Sequence, residues 1–173
     1  MERFMELYQT VYRDLYRLAY YYMGNPEDAE DAVQDTALSA YEHFGSLKKE
    51  ASFRFWIFRI LVNCCKKSLK KRGRRELPME EPQEVQEADG DCLMTQAETL
   101  EFLKILSEEE RLIVVLTVFG GYKGDEIAGL LRRNHSTIRS KYRRALKKLE
   151  QELVREDESG SRCLKSRRKE VQR

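Results

Sequence analysis

The chain has 173 residues, 36% of them charged and 41% hydrophobic, with a formal net charge of +2. Its longest apolar stretch, Leu112 to Phe119, falls well short of the roughly 20 residues that cross a bilayer as a helix. Glu2, Arg3 and Glu6 stand where the apolar region of a signal peptide would lie, so a cytoplasmic location without membrane insertion is expected.

Four cysteines are present, Cys64, Cys65, Cys92 and Cys163, but no C-x-x-C pair, and His43 and His135 complete no zinc spacing. The adjacent Cys64 and Cys65 read as small, partly buried helix residues. No His, Cys and carboxylate grouping and no glycine-rich phosphate loop occurs, so no metal, no cofactor and no enzymatic activity are expected. The small net charge conceals strong segregation. Acids dominate Met1 to Leu47; from Lys48 to Arg75 Glu50 is the lone acid among lysines and arginines. Every charge from Glu76 to Asp91 is acidic, and every charge from Arg132 to Lys148 is basic. Two separate basic runs on one chain point to a polyanion contacted twice.

With three prolines and nine glycines, long stretches lack both, which favours an all-α fold. Phe4, Leu7, Val11, Leu15, Leu18 and Tyr22 recur at three- and four-residue spacing and predict a first helix. Gly24-Asn25-Pro26 breaks it, with Asn25 as N-cap and Pro26 opening the next helix. That helix turns Ala29, Ala32, Val33, Thr36, Ala37, Ala40, Tyr41 and Phe44 inward and ends at Gly45. A loop, Ser46 to Ala51, leads to a third helix capped by Ser52, whose buried stripe is Phe55, Trp56, Ile60, Leu61 and Cys64 or Cys65. Residues 76–95, acidic and proline-bearing, predict a mobile linker between a first module over 1–75 and a second over 96–154. In the second module, helices are expected over Glu98 to Leu106 and Ser107 to Phe119, the latter opened by a Ser107–Glu110 capping box. Gly120-Gly121 stops it. The tail 155–173 is expected to be disordered.

Tyr122 to Leu149 carries the sharpest local signal. A short helix with Ile127, Ala128, Leu130 and Leu131 is followed by the turn Arg132-Arg133-Asn134 and a longer helix with Ile138, Tyr142, Ala145 and Leu149 inward. This describes a helix-turn-helix. Ser136, Arg139, Ser140, Arg143, Arg144 and Lys147 remain outward, hydroxyls and cations able to reach phosphates and base edges in a major groove. In the first module, Phe53, Phe55, Trp56 and Phe58 lie among Lys48, Lys49, Arg54 and Arg59. Aromatics beside cations suit unpaired bases; most of these rings belong to the core, and one or two are expected to touch DNA.

Three blocks in order resemble the extracytoplasmic-function (ECF) sigma factors of bacterial RNA polymerase. Asp28-Ala29-Glu30-Asp31-Ala32-Val33-Gln34-Asp35-Thr36 is similar to their polymerase-binding helix. Ser52 to Asn63 is similar to their minus-ten-reading helix. Glu126 to Leu131 with Ser136 to Ser140 is similar to their minus-thirty-five-reading helix-turn-helix. The resemblance implies two small helical domains, a region-2-like bundle and a region-4-like helix-turn-helix. It implies that Asp31, Gln34, Asp35 and Leu38 dock on the clamp helices of the largest polymerase subunit. Lys48, Lys49, Ser52, Phe53, Trp56, Arg59, Asn63, Lys66 and Lys67 would melt and hold the minus-ten element. Arg133, Ser136, Thr137, Arg139, Ser140, Arg143, Arg144 and Lys147 would read the minus-thirty-five element. Core RNA polymerase, promoter DNA and an anti-sigma factor are the implied partners, and the acidic linker would thread along the RNA exit path. The chain departs from the family where Arg132 fills a turn position usually held by Gly, where Ser136-Thr137 replaces a Gly-Thr pair, and where Leu106-Ser107 replaces Leu-Pro. The competing expectation is a stand-alone helix-turn-helix regulator whose first module senses a ligand or dimerises.

Overall fold

The computed structural model describes the backbone of residues 2–72 and 96–170, and the side chains of residues 2–71 and 96–155. The linker expected over 76–95 lies outside the described residues. Among those described, seven α-helices and two short 3-10 turns occur and no strand, so the all-α expectation holds.

The first module packs α1 (Glu2–Met23), α2 (Pro26–His43) and α3 (Phe53–Arg72). The break between α1 and α2 forms as its residues dictate. Gly24 takes a φ of 85°, and Asn25 Oδ1 accepts the Asp28 amide at 2.8 Å. A cap of this kind is worth about 1 kcal/mol. Leu15, Leu18, Ile57, Phe58 and Leu61 are fully buried where the three helices meet. The expected loop before α3 contains two 3-10 turns, Phe44–Ser46 and Glu50–Ser52. Glu50 is tied back to α1 by Arg3, whose guanidinium donates to both carboxylate oxygens at 2.9 and 2.5 Å.

Two expectations for this module need correction. The buried stripe of α3 is Phe53, Ile57, Phe58, Leu61, Val62 and Cys65, whereas Phe55, Trp56 and Ile60 are half-buried. The four-residue series from Phe53 to Cys65 faces α1 and α2, and Phe55 is turned toward the second module. Tyr41, expected inward, is 47% exposed, with its ring edge against Phe4 at 5.5 Å.

The second module comprises α4 (Gln96–Lys104), α5 (Glu108–Val118), α6 (Gly124–Leu131) and α7 (His135–Glu170). The capping box at Ser107 and Glu110 is present. Glu110 is 3% exposed and also accepts Lys148 Nζ at 2.6 Å, which joins the start of α5 to α7. Burial alone would raise the Glu110 pKa; the Lys148 bond and the two Ser107 donors outweigh it and hold the carboxyl below its ordinary value. Arg132 ends α6 in the left-handed region, φ 52° and ψ 48°, and the Arg133 amide reaches the Ala128 carbonyl at 3.0 Å, a Schellman-type closure. Glycine suits such a position because it has no Cβ to clash, which accounts for the family's preference there. The α7 helix does not end at Val154 but runs to Glu170. Residues 155–170 contain no proline, and Gly160, between Ser159 and Ser161, costs the helix about 1 kcal/mol relative to alanine without ending it.

The two modules are in direct contact. Tyr21 of α1 stacks on Phe119 at the end of α5, centroids 4.2 Å apart, and Arg17 lies over the same ring at 5.0 Å. Tyr122 sits edge-on to Phe55 and Phe58 of α3 at 6.1 and 5.5 Å. Gly120 makes this possible, since a Cβ there would stand 2.8 Å from the Tyr122 ring and 2.6 Å from the Leu116 carbonyl.

Candidate nucleic-acid interface

Three outward faces collect the residues singled out in the sequence. At about 100° per helical residue, Asp31, Gln34, Asp35 and Leu38 fall on one side of α2, opposite the buried Ala29, Ala32, Val33, Thr36 and Ala40. All four are exposed, Leu38 at 66%. Leu38 thus stands in water among carboxylates, next to the half-exposed Tyr41. Tyr41 and Glu42 continue it, and their i+10 and i+11 spacing from Asp31 is the signal that would have revealed them.

The second face lies on α3 and the loop before it. Trp56, Arg59, Asn63, Lys66 and Lys67 share the side of α3 opposite its buried stripe; Asn63, Lys66 and Lys67 are exposed, Trp56 and Arg59 half-buried. Lys70, exposed and on the same line, extends the face by one turn. Lys48, Lys49 and Ser52 are exposed around the 3-10 turns. Phe53 departs from expectation. It is 3% exposed, enclosed by Phe4, Phe44 and Trp56 with centroids 5.9 to 6.1 Å away, so its ring is core. Cys65 is buried and Cys64 half-buried; burial pushes the Cys65 thiol up to about 12, which leaves it unreactive at neutral pH.

The third face is on the helix-turn-helix. Ile138 and Ala145 are buried, while Arg133, Ser136, Arg139, Ser140, Arg143, Arg144 and Lys147 are exposed and Thr137 half-buried. The Asn134 carbonyl accepts the Thr137 and Ile138 amides at 3.0 and 3.2 Å, which orients the first turn of α7. Ser140 Oγ donates to the Ser136 carbonyl at 2.9 Å, so its lone pairs point outward as acceptors. Among the described residues, Arg139, Arg143, Arg144 and Lys147 meet no carboxylate, whereas Lys141 and Arg133 pair with Glu109 at 2.6 and 3.3 Å. The Lys141 bond, aided by the nearby charges of Arg133 and Lys66, holds the Glu109 carboxyl below its ordinary range. Sequence reading missed Glu109 because the contact spans three helices.

A helix-turn-helix with an unneutralised basic face, joined to a bundle with a second basic face and an acidic-apolar one, defines a two-module helical DNA-binding protein that also docks on another protein. Residues 7–75 match the Sigma-70 region 2 model and residues 96–149 the Sigma-70, region 4 model. The chain is similar to the ECF RNA polymerase sigma factor SigM of Mycobacterium tuberculosis, 32% identical over 148 residues, 84% of this chain and 74% of that one. It is also similar to RNA polymerase sigma factor SigV of Bacillus subtilis, 28% identical over 84% of this chain and 87% of that one. Its fold is shared with the sigma factor RpoE of Bartonella quintana, solved with the anti-sigma factor NepR, at TM-score 0.78 and 24% identity over 89% of this chain and 98% of that one. CnrH, solved with the cytosolic domain of CnrY, superposes at TM-score 0.66 and 26% identity, covering 89% and 90% of the two chains. The chain belongs to the ECF sigma factors of the sigma-70 family, and its function is that of a sigma factor in transcription initiation.

Proposed function

We propose that the three faces divide the work of promoter selection. Asp31, Gln34, Asp35 and Leu38 dock on the clamp helices of core RNA polymerase, carboxylates meeting cations around an apolar contact. Asn63 and the half-exposed Trp56 receive unpaired bases of the minus-ten element, while Lys48, Lys49, Ser52, Arg59, Lys66 and Lys67 hold its backbone. The Asn63 amide offers both a donor and an acceptor to a base edge, whereas lysine can only donate. Arg133, Ser136, Thr137, Arg139, Ser140, Arg143, Arg144 and Lys147 read or clamp the minus-thirty-five element. Phe53 is left out because its ring is buried. The chain works in the cytoplasm by directing a partner enzyme and carries out no catalysis of its own. An anti-sigma factor is a further partner, a reading supported by RpoE of Bartonella quintana, which was solved with the anti-sigma factor NepR.

The observation that carries this reading is the order of three chemically distinct, exposed faces along one chain, each opposite a buried stripe. In a stand-alone regulator the acidic-apolar face of α2 would instead meet a second copy of the chain. Replacing Asp31 and Asp35 together with Lys tests it. The helix content should stay unchanged and co-purification with core polymerase should be lost; undiminished binding would place the docking face elsewhere.

A further inference from the structure

The turn of the helix-turn-helix holds a cation that the fold itself does not use. Arg132 ends α6 at φ 52° and ψ 48°, and among the described residues it is the one residue other than glycine with a positive φ. The turn imposes this conformation. The Arg132 and Arg133 amides both return to the Ala128 carbonyl, and the chain then leads into α7 at His135. In the left-handed region a Cβ crowds the following carbonyl, so every residue but glycine is strained there, asparagine and aspartate least. Strained residues of this kind cluster at functional sites.

Nothing inside the fold compensates the strain. The Arg132 side chain is exposed and pairs with no carboxylate, carbonyl or ring among the described residues. Its neighbour differs. Arg133 Nε lies 3.3 Å from Glu109 Oε1, and the other oxygen of that carboxylate takes Lys141 at 2.6 Å. Of the two turn arginines, one is drawn back onto α5 and the other is left free. In a helix-turn-helix the first residues of the second helix reach base edges in the major groove, so the turn before them passes the phosphates that line it. Four residues, at most about 14 Å of chain, separate Arg132 from the exposed Ser136. A guanidinium presents a planar fork that fits two phosphate oxygens at once.

We propose that Arg132 is a phosphate clamp whose guanidinium grips the DNA backbone beside the groove that α7 enters. This role rests on the sigma-factor reading of the helix-turn-helix and adds to it a residue outside the outward face of α7. The strained turn then holds a charged fork where the backbone alone would favour glycine, and removing the side chain exchanges DNA affinity for stability.

The test compares the full-length wild type with Arg132→Gly, Arg132→Lys and Arg133→Gln, each bound to core polymerase, on a duplex spanning one chain-dependent start site. Affinity is measured over a series of salt concentrations. For Arg132→Gly the affinity at low salt should fall about fivefold, and the slope of log affinity against log salt should flatten by about 0.9, the loss of one phosphate contact. Its melting temperature should not fall, so unfolding cannot account for the loss. Arg132→Lys keeps a cation at the same place and should hold the wild-type slope. Arg133→Gln should flatten the slope by less, because Glu109 already shares that cation. An Arg132→Gly complex with wild-type affinity and slope would overturn the clamp. So would one that is weaker at an unchanged slope, which would place the effect in the backbone of the turn. A wild-type chain that gives core polymerase no preference for any start site would instead refute the sigma-factor reading. The slope is then read on the full chain alone with a mixed-sequence duplex, where Arg132→Gly should still flatten it and an unchanged slope would overturn the clamp as well.

Discussion

Replacing Lys148 with Met isolates Glu110, the one charged side chain that is buried among the described residues. In the wild type its carboxylate receives Lys148 Nζ at 2.6 Å, the Ser107 amide at 3.1 Å and Ser107 Oγ at 3.0 Å. Removing one partner of a fully buried ion pair costs about 3–5 kcal/mol, and removing an exposed one about 0–1. Here the carboxylate side is 3% exposed and the lysine side 41%; Met keeps the aliphatic packing and the two Ser107 donors remain. A loss of about 2 kcal/mol at pH 7 follows, read as a shift of the urea midpoint followed by circular dichroism. The pH dependence provides an independent check. In the wild type the Glu110 pKa is lowered, so its stabilisation is present above the unfolded pKa and is lost as pH falls through the folded one. In Lys148→Met burial goes unopposed by the ammonium and the pKa rises, so protonation relieves the variant. The stability gap should therefore narrow as pH drops toward 4. A gap below about 0.5 kcal/mol at pH 7, or one that widens on acidification, would refute this account of how α5 is fixed to the recognition helix.

Two further outcomes are expected. Arg132→Gly should stabilise the chain by about 0.5–1 kcal/mol, because relief of the left-handed strain at φ 52° exceeds the entropy that glycine adds to the unfolded state; a lower melting temperature would contradict this. Asn63→Ala should leave circular dichroism and core binding unchanged, while permanganate footprinting shows fewer unpaired thymines at the minus-ten element. Normal opening by the folded variant would move base reading to the loop around Lys48 to Ser52.

Local chemistry was readable from the sequence wherever one turn of chain decides the outcome. Asn25 with Pro26 and Ser107 with Glu110 are caps whose partners lie three residues away, and the helix-turn-helix follows from periodicity across a short turn. What escaped depends on distant partners. The register of α3 was misplaced because Phe55 finds an apolar surface in Tyr122, far along the chain, and so mimics a residue of its own module's core. Phe53 reads as a base-stacking candidate among lysines, yet Phe4 and Phe44 close around it. Tyr41 lies at an edge where a ring can half-emerge while keeping contact with Phe4. The contact between modules was invisible for the same reason: Tyr21 and Phe119 lie in different modules, and nothing in either local pattern marks one as the other's partner. The three outward faces were legible because a helix that buries one stripe must present the opposite one.

The central claim is that this chain gives core polymerase its promoter choice. It is tested most directly by transcribing fragmented DNA of the source genome with core polymerase alone and with core plus the chain, and mapping the transcript 5′ ends. A set of start sites that depends on the chain is predicted, sharing sequence near minus ten and minus thirty-five and disappearing with the Asp31→Lys, Asp35→Lys double variant. The same start sites with and without the chain, together with tight sequence-specific DNA binding by the chain alone, would contradict the account and favour a stand-alone regulator.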